Sequence, residues 1–139
     1  MSDQMRTVIE RGKLENGMEL VLYDSSRIIA GDRWLVELLC EAHIPIPESS
    51  WERTPGEDAE LLPDIRKMLG GELVYSSSRK RNFVEEEKKD EILQELKRQL
   101  HDSAFEYLSR PQFPLRLFQK QYKDCRRKIM IRRAMNRHG

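Results

Sequence analysis

The last sixteen residues, Asp124 to Gly139, carry six Lys or Arg side chains and one acid. Just upstream, Arg116, Lys120, Lys123 and Arg127 recur at i, i+4, i+7 and i+11, a spacing that puts four cations on one face of a helix. Such a row can hold phosphates through counterion release. It can equally hold the carboxylates of a protein partner. A third reading is a solvated helix end that complements the helix's own negative terminus. The opposite face carries Leu115, Phe118, Tyr122, Cys125 and Ile129, so the segment reads as an amphipathic helix with a cationic outer side. Past Ile129 the pattern breaks. A continued helix would turn Arg132 and Arg133 toward the buried side, where an unpaired guanidinium is very unfavourable. The break predicts a docked helix up to Ile129 and a mobile basic arm over 130–139 that includes Arg132, Arg133 and Arg137. The aromatic residues of this region fall on the apolar face or in the connection before it. They offer bases no stacking platform, which disfavours sequence-specific RNA reading.

Other chemistry is sparse. His43, His101 and His138 have no neighbours at metal-ligand spacing, and Cys40 and Cys125 form no C-x-x-C pair, so no metal site is expected. Phosphate-loop and dinucleotide motifs are missing, so no cofactor is expected. Ser25 and Ser26 lie near Asp24 and Asp32 without a G-x-S-x-G elbow. "YDSSRIIAGDR" reads instead as a polar loop, with Asp24 or Ser25 satisfying backbone groups, Gly31 in a turn and Ile28-Ile29 tucked under the sheet. Trp51, in a proline-bounded loop, suits either a partner anchor or a lid over a sheet edge. Arg79-Lys80-Arg81 reads as a wet loop or an extension of the basic surface.

These residues need a scaffold. Asn16-Gly17 is the strongest hairpin signal in the chain and points to a type I′ turn. Strands are expected over about 7–14, 18–24 and 33–44, as an antiparallel meander with one wet face. Met18, Leu20 and Leu22 share an apolar side, as do Trp34, Val36, Leu38, Cys40, Ala42 and Ile44. A short helix over 62–69 fits Pro63 in its first turn and Gly70-Gly71 at its stop. "ELVYSS" is a candidate fourth strand. Asn82 and Glu85 have capping-box spacing for a long helix whose stripe is Ile92, Leu93, Leu96, Leu100, Ala104, Tyr107 and Leu108. "SRPQFPL" breaks it, and a second helix starts near Pro114. The fold class is therefore α+β: a small antiparallel sheet of three or four strands against a C-terminal hairpin of two long helices. The chain is expected to be a single domain, with sheet over about 6–76, helical hairpin over about 83–130 and the basic arm beyond.

The net charge of +1 conceals a polarity. Up to Ser109 there are 15 basic and 23 acidic residues, a net of −8; from Arg110 on there are 10 basic and one acidic, a net of +9. No stretch approaches the roughly 18 apolar residues of a membrane span. The N-terminal "MSDQMRTVIERG" has no apolar signal core. Two widely separated cysteines on apolar faces suit reduced thiols. No family pattern is recognised. The reading is a small cytoplasmic, bacterial, non-enzymatic interaction module with charge-segregated surfaces. Its expected partner is an acidic protein or a second copy paired about a two-fold axis. The alternative is weak, sequence-nonspecific nucleic-acid binding through the same cations.

Overall fold

The computed structural model describes residues 6–138. Part of the N-terminal stretch read for a leader, and Gly139 at the end of the expected arm, lie outside them. The elements run β1 (Thr7–Lys13), β2 (Glu19–Asp24), β3 (Arg27–Ala30), β4 (Arg33–Pro45), α1 (Glu48–Glu52), a 3₁₀ turn (Gly56–Asp58), α2 (Leu62–Leu69), β5 (Glu72–Glu85), a second 3₁₀ turn (Glu86–Lys88), α3 (Lys89–Leu108) and α4 (Phe113–His138). The class is α+β, with a five-stranded antiparallel sheet that opens on an N-terminal meander. The chain forms two compact units: residues up to His43 with Val74–Pro111, and Ile44–Leu73 with Gln112 onward. The two long helices are consecutive in sequence, but α3 belongs to the first unit and α4 to the second.

In the first unit, β1 pairs with β2 and β2 with β4. β2 and then β3 pair successive stretches of β4, Leu38–His43 and Leu35–Arg33 respectively. The polar segment after Asp24 is thus a strand continued, not a loop. The break at Ser25-Ser26 is bridged by Ser25 N–H to the Glu37 carbonyl at 2.9 Å and by Glu37 N–H to Ser26 Oγ at 3.1 Å. Asp24 accepts the Ser26 N–H at 2.9 Å, as its position suggests. Ile28 and Ile29 do not tuck under the sheet; both are exposed. Met18, Leu20, Leu22, Val36, Leu38, Cys40 and Ala42 are buried, as the alternation predicts, but Trp34 and Ile44 of the same face are only half-buried, and Val21 and Leu35 of the other face are buried too.

Asn16-Gly17 does build a hairpin, but not a type I′ turn, because Asn16 is not at positive φ. Gly17 N–H reaches the Leu14 carbonyl at 2.9 Å, Gly17 takes φ 94°, and Leu14 N–H bonds the Met18 carbonyl at 2.8 Å. This is a type I turn closed by a left-handed glycine. The Asn16 side chain reaches out of this turn. Its amide donates to the carbonyls of Leu108 and Arg110 at 2.7 and 2.9 Å, supplying partners where α3 ends.

β5 is far longer than "ELVYSS" implies. Its half-buried positions, Tyr75, Ser77, Arg79 and Arg81, alternate with exposed ones, so the period is two without an apolar face. Arg79 instead reaches Ser103 at 2.7 Å and Arg81 reaches Glu95 at 3.2 Å, both on α3. Lys97 of the same helix pairs with Glu10 of β1 at 2.7 Å. Phe83 takes φ 56°, and the inward position shifts from odd numbers to Val84. Asn82 and Glu85 therefore lie in a strand, and the expected capping box does not form. α3 begins at Lys89 with no side-chain cap, its first turn carrying Asp90 and Glu91. Leu93, Leu96, Leu100 and Leu108 form its buried stripe, whereas Tyr107 is exposed.

In the second unit, α2 occupies the expected span and packs on α4. Ile65, Leu61, Leu73, Trp51, Phe113, Leu117, Phe118, Tyr122, Cys125 and Ile129 are buried. Leu115 is exposed and Leu117 takes its place on the buried side. Trp51 does not lie free as a partner anchor; it is buried. Its ring meets Phe118 edge-on at 5.2 Å, and the Arg66 guanidinium lies 4.9 Å over it. Arg66 also grips Glu48 through two bonds of 2.9 and 3.1 Å, tying α1 to α2. The arm over 130–139 is corrected as well: α4 stays helical to His138. Among the described residues Ile129 is its last buried one; beyond it Arg132 is exposed and Arg133 is paired with Asp64, so the penalty on an unpaired buried guanidinium does not arise.

Candidate functional site

α4 has helical spacing for 26 residues and holds nine cations with one acid, Asp124. Its exposed side brings Arg116, Lys120, Lys123 and Arg127 into one row, as their spacing predicts. Arg127 bonds Asp124 at 3.1 Å, an exposed pair of little weight. Arg133 is half-buried and pairs with Asp64 of α2 at 2.9 Å, a largely exposed pair that takes it out of the set of unpartnered cations. Arg132 and Arg137 are exposed. Arg116, Lys120, Lys123, Lys128, Arg132 and Arg137 make no ion pair or side-chain hydrogen bond with any described residue. Apolar groups interrupt these cations: Leu115, Met130, Ile131 and Met135 are 45, 42, 53 and 68% exposed.

The second feature of this unit had no sequence expectation behind it. Asp58, only 1% exposed, closes the 3₁₀ turn after Pro55. Tyr122 Oη donates to one carboxylate oxygen at 2.6 Å and Arg126 Nε to the other at 2.9 Å. Tyr122 and Arg126 are one helical turn apart on α4, so one carboxylate spans both. The Tyr122 hydroxyl first, and the Arg126 guanidinium second, hold the Asp58 carboxyl below its ordinary range against the opposing push of burial. Burial, and then the bond to Asp58, push the Tyr122 phenol well above its ordinary value. At neutral pH the carboxylate is ionised with both oxygens engaged, and the phenol is neutral. Neither is poised to move a proton.

Beside this lock lies a cleft of about 730 Å³. One wall comes from α1 and the segment after it, with Ser49, Ser50, Arg53 and Thr54. The other is α4, with Leu115, Phe118, Gln119 and Lys123. Trp51 and Tyr122, whose rings lie 5.2 and 5.9 Å from that of Phe118, fix the aromatic floor. Cations stand at its edge: Arg53, Lys123, and the outer nitrogens of Arg126, whose Nε is committed to Asp58. Lys123 belongs to both the cleft and the cationic row.

Neither cysteine is a reactive centre. Both are free and buried. Burial, helped by Glu41 and opposed by Arg79, pushes the Cys40 thiol up to about 11, and burial raises Cys125 as well. Among the described residues no cluster of three His, Cys, Asp or Glu is arranged to hold a metal ion. No described helix is long and apolar enough to cross a membrane. Family models, characterised proteins and solved structures yield no match to this chain.

Proposed function

We propose that the protein is a non-catalytic binding module, working in the cytoplasm, that docks an acidic protein partner along the exposed face of α4. The observation that carries this reading is the set of six exposed cations on that helix with no partner among the described residues. Like charges held side by side repel, and an acidic partner relieves that repulsion. The exposed Leu115, Met130, Ile131 and Met135 favour a protein over a nucleic acid, because methionine and aliphatic side chains gain by burial against a protein surface and little against phosphates. The occupied Asp58 carboxylate and neutral Tyr122 phenol favour binding over catalysis. A cytoplasmic setting agrees with two buried free thiols.

A second reading rests on the same cations. From Arg116 to Arg137 the helix rises roughly 32 Å at 1.5 Å per residue, and phosphates of duplex DNA follow each other at close spacing along such a length. Fluorescence anisotropy separates the two. Labelled polyglutamate and a labelled DNA duplex are titrated with the protein at about 50 mM salt, where the Debye length leaves surface charges effective. The acidic-partner reading expects polyglutamate to bind and to compete with the duplex. Binding of duplex without polyglutamate assigns α4 to nucleic acid, and binding of neither refutes both.

A further inference from the structure

We infer that the cleft beside α4 is an anchoring pocket for one bulky apolar side chain of the acidic partner, flanked in that partner by Asp or Glu residues. The inference rests on the α4 reading above and specifies the partner's chemistry. The cleft lining is aromatic and aliphatic over Phe118, Tyr122 and Leu115, and its volume of about 730 Å³ accommodates an aromatic side chain with the backbone on either side of it. Its rim is cationic. Arg53 and Lys123 are exposed and make no side-chain bond to a described residue. Arg126 is held by Asp58 through Nε at 2.9 Å, which aims the guanidinium while its outer nitrogens stay available. Glu57 is the opposing acid on the rim, so the lining favours an anion by a single net charge once Asp58 is counted.

Continuity with the cationic row decides between a small molecule and a chain. Arg116, Lys120, Lys123 and Arg127 span eleven residues of helix, roughly 17 Å. A molecule confined to the cleft reaches Lys123 alone among them. An extended peptide of about five residues covers that length at roughly 3.3 Å per residue. Such a peptide places one apolar side chain in the cleft while its carboxylates lie along the row. Apolar anchors in well-packed, desolvated pockets are where interfaces concentrate their affinity.

The test uses the full-length protein and two labelled synthetic peptides rich in Asp and Glu, identical except for Phe or Ala at the centre. Burying the Phe ring predicts binding tighter by roughly tenfold or more for the Phe peptide. Gln119→Trp, which fills the cleft from α4, should bring the ratio of the two affinities close to one. Ser50→Trp fills it from α1 and serves if the first variant fails to fold. Equal affinities for the native protein overturn the anchoring pocket while leaving the α4 reading intact, provided both peptides bind. A preference for Phe that survives a filled cleft also overturns it. If neither peptide binds, the α4 reading fails first and this inference with it; duplex DNA binding in that case assigns the row to phosphate.

Discussion

Tyr122→Phe removes one oxygen and leaves the ring, so it isolates the bond that closes the Asp58 lock. The native phenol donates at 2.6 Å to a carboxylate that is 1% exposed. A hydrogen bond to a charged group is worth about 1.5–3 kcal/mol, and water entering from the cleft that Asp58 and Tyr122 line offsets part of its loss. Arg126 Nε still bonds the other oxygen, so the carboxylate is weakened rather than stranded. The expected loss at neutral pH is therefore about 2 kcal/mol, read from urea denaturation as a lower midpoint with an unchanged slope. The sign with pH follows from linkage. Asp58 has its carboxyl depressed in the folded state, with Tyr122 the leading cause. Its contribution is complete above the unfolded value of about 3.9 and is lost as pH falls through the lower folded value. The gap between native and variant should be widest near pH 7 and should narrow below about pH 4. A variant as stable as the native protein at pH 7, or a gap that does not change on acidification, refutes the account of the lock.

Three further outcomes follow from particular contacts. Leu38→Ala removes a side chain 1% exposed in the sheet core and should cost about 2–5 kcal/mol in chemical denaturation; a native midpoint contradicts its placement. Asn16→Ala strips the two donors from the Leu108 and Arg110 carbonyls and should cost about 1–2 kcal/mol, with faster amide exchange near the end of α3; unchanged exchange there would show that the clamp is idle. Deleting 130–139 removes exposed helix and one exposed ion pair, Arg133 with Asp64, so stability should fall by no more than about 1 kcal/mol; unfolding would show that the last turns are structural.

The sequence discloses elements wherever one face is apolar and the period is clean. β2, β4 and the buried stripes of both long helices were legible for that reason, as was α2, which stops at Gly70 with φ 75°; β1, which buries no residue, was legible from the Asn16-Gly17 turn and its pairing with β2 instead. The start of β5 was legible as "ELVYSS", but its continuation was not, because the inward positions there are Arg79 and Arg81, whose partners lie on α3, and alternation among polar residues carries no hydropathy signal. Asn82 and Glu85 then imitated a helix start, since capping-box spacing does not distinguish a strand that ends at Glu85 from a helix that begins there. Arg132 and Arg133 misled in another way. Periodicity told which side of the helix they occupy, but not that cover ends at Ile129. The cationic row was fully readable, since it needs one helix only. Asp58 was not, because its partners lie 64 and 68 residues away. One hint was present: Arg126 sits one turn from the buried Tyr122, and a guanidinium so close to a buried face calls for a carboxylate opposite.

The central claim is that the exposed cations of α4 form the binding surface. Charge reversal of the row tests it most directly: Arg116→Glu, Lys120→Glu, Lys123→Glu and Arg127→Glu combined, titrated into labelled polyglutamate at about 50 mM salt. Each reversal replaces an attraction worth a few tenths of a kcal/mol with a repulsion of similar size, so four should weaken binding on the order of a hundredfold. The far-ultraviolet circular dichroism should stay native, since none of these four side chains is buried. Loss of that size, with affinity of the native protein falling steeply as salt is raised, is the predicted result. A folded fourfold variant that binds polyglutamate as tightly as the native protein contradicts the claim.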